Sequence, residues 1–178
     1  MRQDVDERGL VEFALPTSRE AEIKFETDAS GLKLARRSEM LATAAARWPG
    51  RTVRTAYFDT QAGDLWRRRI ILRVNRARRR HVMGLKWPLR QPQGSASAGE
   101  FEIPVPGDEP DIALFDDATS AELHRITEGQ KLERQFETQF MRRSRTLEFS
   151  HSLIEVALDE GFVATGDRRL PLAEVELA

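Results

Sequence analysis

The stretch Glu20-Ala21-Glu22-Ile23-Lys24-Phe25 decides how this chain is read. Two acids and a base alternate with three apolar residues. Successive side chains of a β-strand point to opposite faces. Glu20, Glu22 and Lys24 therefore share one face, and Ala21, Ile23 and Phe25 the other. One such strand says only that a face is polar, so the fold turns on whether other strands repeat it.

Five other segments do. Over 70–75, Ile71, Arg73 and Asn75 oppose Ile70, Leu72 and Val74. Over 82–87, Gly84 and Lys86 oppose Met83, Leu85 and Trp87. Glu100 and Glu102 oppose Phe101, Ile103 and Val105. Glu155, Ala157 and Asp159 oppose Ile154, Val156 and Leu158. Glu174 and Glu176 oppose Val175 and Leu177. Residues 52–59 and 132–149 add strand-like runs, the second as one long strand or two. Glu160-Gly161 reads as a hairpin turn. One helix is expected from Ser38 to about residue 47, stopped by Pro49-Gly50, and a second over 120–128 capped by Thr119 or Ser120. Residues 88–99 are rich in Pro, Gln, Gly and Ser and read as a loop. Residues 1–18 form a leader or an extra N-terminal strand, and 19–178 one domain.

Two α+β architectures fit this pattern. One is an open antiparallel sheet with its charged face in water. The other is a closed barrel whose charged face lines a lumen, with helices over the apolar outside. Repeated Glu-x-Glu pairs favour the barrel, because paired carboxylates repel unless a cation lies between them. Lys24, Arg73 and Lys86 share the charged faces. Carboxylates gather hard cations such as Mg²⁺ or Mn²⁺, and Lys and Arg hold phosphate oxygens. A polyphosphate could then lie between acidic and basic walls.

Composition narrows the class. At 178 residues and 40% hydrophobic, the chain can build one domain with a real core. Lys+Arg 28 against Asp+Glu 29 leaves a formal net charge of −1, which suggests neither a nucleic-acid nor a membrane partner. The absence of cysteine excludes disulfides, thiolate metal sites and a cysteine nucleophile. No apolar run reaches the roughly 20 residues of a membrane span, and none resembles a signal-peptide core. A soluble cytoplasmic protein is expected. His81, His124 and His151 are scattered and read as structural, and Trp48, Trp66 and Trp87 as packing residues. Arg67–Arg69 and Arg78–Arg80 read as solvent-facing rim.

The ordered motifs resemble the CYTH superfamily, the triphosphate tunnel metalloenzymes. Glu20-Ala21-Glu22-Ile23-Lys24 resembles its first-strand signature, and Tyr57-Phe58-Asp59-Thr60 its aromatic-acid-Thr segment. Leu72-Arg73-Val74, Leu85-Lys86, Glu100-Phe101-Glu102, the strand ending at Arg142, Ile154 to Gly161 and Glu174-Val175-Glu176-Leu177 follow in the family's order. The resemblance implies an eight-stranded antiparallel β-barrel tunnel with a charged lumen and flanking helices. It implies a metal-dependent phosphohydrolase cleaving a terminal phosphoanhydride of inorganic triphosphate (tripolyphosphate). Alternatives within it are a triphosphate-binding module with weak catalysis, a nucleotide or thiamine triphosphatase, and an adenylyl cyclase. Glu20, Glu22, Asp159, Glu174 and Glu176 would be metal ligands for Mg²⁺ or Mn²⁺. Glu100, Glu102 and Glu155 would lie behind them or on a second metal. Lys24, Arg73, Lys86 and Arg142 would hold phosphate, with Glu22, Lys24 and Arg73 closest to the chemistry. Two positions depart from the pattern: Asn75 stands where the family has a second Arg, and Ala98 where a basic residue is frequent. Arg90, Arg143 and Arg145 are candidates to compensate. Family relatives continue into a further helical domain, so such a domain is an expected partner.

Overall fold

The computed structural model describes residues 23–42, 48–77, 80–89, 97–150 and 152–178. Glu20, Glu22, the leader, Arg78, Arg79, Arg90 and His151 lie outside them. The described chain runs β1 (Ile23–Glu26), α1 (Ala29–Arg37), α2 (Glu39–Ala42), β2 (Gly50–Asp59), β3 (Ile71–Ala77), β4 (Arg80–Leu89), β5 (Ser97–Val105), α3 (Asp117–Thr127), β6 (Glu133–Phe149), β7 (Ser152–Thr165) and β8 (Arg168–Leu177). The eight strands form one antiparallel sheet in the order β1-β8-β7-β6-β2-β3-β4-β5. The order is linear. Among the described residues no hydrogen-bonded ladder joins β1 to β5 to close the expected barrel. No helix among them is long and apolar enough to cross a membrane.

The chain divides into two compact units, one built on Ala56–Gln135 and the other on Glu20–Thr55 with Phe136–Ala178. In the first, the apolar faces of the strands make the core. Phe58, Leu72, Val74, Met83, Leu85 and Trp87 meet Leu123 and Ile126 of α3 and Phe115 before it. Leu123 and Ile126 are 1% and 2% exposed, so each stabilises by about 1.5–3 kcal/mol. α3 starts one turn earlier than Thr119 suggests. Asp116 is its cap, with Oδ1 accepting from the amides of Ala118 (3.1 Å) and Thr119 (3.0 Å). The Thr119 hydroxyl donates to Asp116 Oδ2 at 2.7 Å, which holds that carboxyl below its usual range. Trp87 is buried as expected, whereas Trp66 is 75% exposed and packs no core.

In the second unit, α1 lies on β8 with Leu32 buried. Its cap is Asp28, whose Oδ1 accepts from Gly31 N at 2.7 Å, and Arg36 and Arg37 favour its carbonyl end. Asp28 to Gly31 thus begins a helix where the sequence suggests only a break. Ser38 separates α1 from α2, and the rest of the expected helix lies outside the described residues. β7 is one 14-residue strand, so Glu160-Gly161 is no turn. Gly161 pairs with Phe140 and with Leu172. A Cβ on it would sit 2.0 Å from Gln139 O, so close backbone approach explains the glycine. The turn falls at Gly166, whose φ is +54°.

Candidate functional site

Strand period and register build a charged face on the second unit. β8 pairs with β7 so that Glu174 stands opposite Asp159 and Glu176 opposite Ala157. β1 sets Lys24 opposite Glu176 and Glu26 opposite Glu174. β6 sets Arg142 opposite Asp159. One row across four strands therefore reads Glu26-Glu174-Asp159-Arg142, and the next Lys24-Glu176-Ala157-Ser144. Arg142 forks onto Asp159, with Nε 2.9 Å from Oδ1 and Nη2 2.6 Å from Oδ2. The same Nη2 reaches Glu176 Oε2 at 2.7 Å, and Lys24 Nζ lies 3.2 Å from that oxygen. Asp159 is 1% exposed, so the fork is the charge that makes its burial tolerable. Burial disfavours the charged form of Arg142, but its hydrogen bond and charge pairing with Asp159, together with Glu176, outweigh this and push its pKa up.

Glu174 is the strained member. Burial pushes its carboxyl up and Lys24 opposes this, while the charges of Asp159, Glu176 and Glu26 push it further. The two rows hold four carboxylates against two cations, a donor set of hard oxygens short of positive charge. That chemistry fits a divalent cation. Among the described residues no three carboxylate or imidazole groups are gathered as a metal cage. Glu155 shares the face one row further on, where its backbone exchanges hydrogen bonds with Ala178 (2.8 and 3.0 Å).

The first unit carries its own charged face on β3, β4 and β5. Arg73, Gly84 and Glu102 form one row, and Ile71, Lys86 and Glu100 the next. Arg73 Nη2 hydrogen-bonds Glu100 Oε1 and lies 3.5 Å from Glu102 Oε1. Asn75 shares the face of Arg73, and among the described residues its buried Oδ1 has no hydrogen-bond partner. Asp59 is scaffold: its carboxylate accepts from the amides of Thr60 (2.7 Å), Leu65 (2.9 Å) and Trp66 (2.9 Å) and so folds the turn after β2.

The model of the CYTH domain matches residues 18–178. The chain belongs to the CYTH family. No match was found among curated proteins. Among solved structures it is similar to a candidate adenylate cyclase from Bacillus halodurans, with a TM-score of 0.57 at 14% identity, covering 88% of this chain and 78% of that one. It is also similar to HpAC1 of Hippeastrum, described as a candidate adenylyl cyclase with a dominant triphosphatase activity, at a TM-score of 0.48 and 20% identity, covering 88% and 77%.

In this CYTH chain the structure brings Lys24, Arg142, Asp159, Glu174 and Glu176 together on one face. It groups Arg73, Lys86, Glu100 and Glu102 on another. Glu20 and Glu22 lie outside the described residues. Two proposed compensating arginines are on the wrong side. Arg143 and Arg145 point to the face of β6 opposite Arg142 by strand alternation. Arg145 is already engaged, donating to Leu41 O at 2.8 Å and lying 5.6 Å over the Trp48 ring. Glu26 was not singled out from sequence. Its signal is the same alternation as Lys24, two residues on.

Proposed function

We propose that this CYTH chain is a metal-dependent phosphohydrolase that cleaves the terminal phosphoanhydride of inorganic triphosphate. The observation that supports it is Glu174: burial and three neighbouring carboxylates raise it on a wall where two cations face four acids. On this reading the sheet curls into a tunnel with its charged face inward. Glu20, Glu22, Asp159, Glu174 and Glu176 would hold Mg²⁺ or Mn²⁺, with Glu100, Glu102 and Glu155 behind them or on a second ion. The bound cation would supply Lewis-acid neutralisation of phosphate charge. Lys24, Arg73, Lys86 and Arg142 orient the triphosphate and offset charge developing on the leaving pyrophosphate. Glu22, Lys24 and Arg73 would act closest to the chemistry.

A second reading, a triphosphate-binding module with weak catalysis, is favoured by Asn75, which brings no charge where a second arginine would grip phosphate. Phosphate release from tripolyphosphate, thiamine triphosphate and ATP with Mg²⁺ or Mn²⁺ separates the two. Release from tripolyphosphate, abolished by Glu22→Gln and by Glu176→Gln, is the expected result. Binding of tripolyphosphate without release from any of the three sinks the enzyme reading. Faster release from thiamine triphosphate or ATP reassigns the substrate.

A further inference from the structure

We propose that Gly84 is a positioning residue for Arg73: its missing side chain is the passage through which Arg73 crosses β4 to hold Glu100 and Glu102. The proposal rests on the reading of Arg73 as a phosphate-holding group. Arg73, Gly84 and Glu102 stand in one row on three adjacent strands. Neighbouring strands lie about 4.8 Å apart, so an arginine on β3 reaches β5 only by lying over the middle strand. A Cβ built on Gly84 would sit 3.1 Å from Arg73 Nε and 3.3 Å from its Cγ. Even a methyl group would make the side chain shift.

Nothing in the backbone asks for glycine here. The described glycines with positive φ are Gly63, Gly129 and Gly166. Glycine inside a strand is unfavourable relative to alanine. Other strand glycines have different reasons. A Cβ on Gly99 would strike the Trp87 ring at 2.4 Å, and one on Gly161 the backbone. At Gly84 the three nearest atoms all belong to Arg73. Laid over β4 and hydrogen-bonded through Nη2 to Glu100, the Arg73 guanidinium is positioned before any ligand arrives, which spares the ligand part of the cost of ordering it.

The test compares Gly84→Ala and Gly84→Val with the native chain, alone and combined with Arg73→Ala. Gly84→Ala is expected to keep or raise the melting temperature, since it removes a flexible residue from a strand. It is expected to raise KM for tripolyphosphate by roughly three- to tenfold, the scale of one weakened charge-assisted bond. Gly84→Val should raise it further. Added to Arg73→Ala, neither should change KM again. A purely structural glycine would instead lower the melting temperature, and its effect would persist without Arg73. A ligand-free arm measures the coupling between Arg73→Ala and Glu100→Ala by a double-mutant cycle of denaturant midpoints, with and without Gly84→Ala. Coupling that survives Gly84→Ala unchanged overturns the proposal. Coupling lost in a protein that neither binds nor cleaves tripolyphosphate upholds the role of Gly84 and removes the triphosphatase reading instead.

Discussion

Removing the Arg142 guanidinium should cost more stability than any other single charge on the carboxylate face, and a divalent cation should return part of it. Arg142→Ala takes three hydrogen bonds, at 2.9, 3.2 and 2.6 Å, from a carboxylate that is 1% exposed. It also takes the 2.7 Å bond to Glu176. Breaking a buried pair from one side costs about 3–5 kcal/mol, because the remaining charge stays buried and uncompensated. At this chain length each kcal/mol moves the melting temperature by about 2–4 °C, so a fall of roughly 6–20 °C is expected in EDTA. The freed oxygens of Asp159 and Glu176 then lie beside Glu174. A cation at a hundred times its Kd stabilises by about 2.7 kcal/mol. Thermal unfolding with and without Mn²⁺ reads both effects. The Mn²⁺ shift should be larger in Arg142→Ala than in the native chain, where the guanidinium already occupies those oxygens. A fall below about 2 °C, or an Mn²⁺ shift no larger than native, would refute the reasoning.

Glu174→Gln should raise the melting temperature of the metal-free protein at neutral pH while weakening Mn²⁺ binding. An acid whose folded pKa is raised costs stability as pH climbs from its unfolded pKa through the folded one, so the gain should vanish below about pH 4, as melts across pH 3 to 8 will show. Asp116→Ala should cost about 0.5–2 kcal/mol by uncapping α3, read from the denaturant midpoint. The Asp116 carboxyl is held below its usual range, so its contribution is present above the unfolded pKa and lost only in strong acid. Gly161→Ala should destabilise by about 1–3 kcal/mol or more, because its Cβ would meet backbone rather than a movable side chain. Circular dichroism melts would sink that claim by showing no change.

Period-two alternation made the strands and their charged faces legible. Arg73, Lys86, Glu100, Glu102, Asp159, Glu174 and Glu176 all lie on the faces that counting residues assigns them. The misreadings came from residues with two uses. Glycine ends strands and also admits close neighbours, so the sequence suggests a turn at Gly161 where the structure pairs it with Phe140 and Leu172. Aspartate closes turns and also caps helices, so Asp28 hid the start of α1. What alternation cannot carry is register. That Arg142 falls beside Asp159 and across from Glu176, or that Arg73 meets Glu100 over Gly84, depends on how far each strand slides along its neighbour. Alternation puts Glu26 on the face of Lys24, but only its pairing with Glu174 brings it to the acidic row.

Among the described residues β1 lies at an end of the sheet, hydrogen-bonded to β8 alone. Such a strand belongs to the low-stability end of a fold, where local opening costs far less than global unfolding. Lys24 rides on it, half-exposed, with its ammonium on Glu176. A ligand that grips Lys24 would bind fully only while β1 stays paired with β8. Its measured affinity is the intrinsic one scaled by the docked fraction. Anything that pins that edge would tighten binding without touching the ligand.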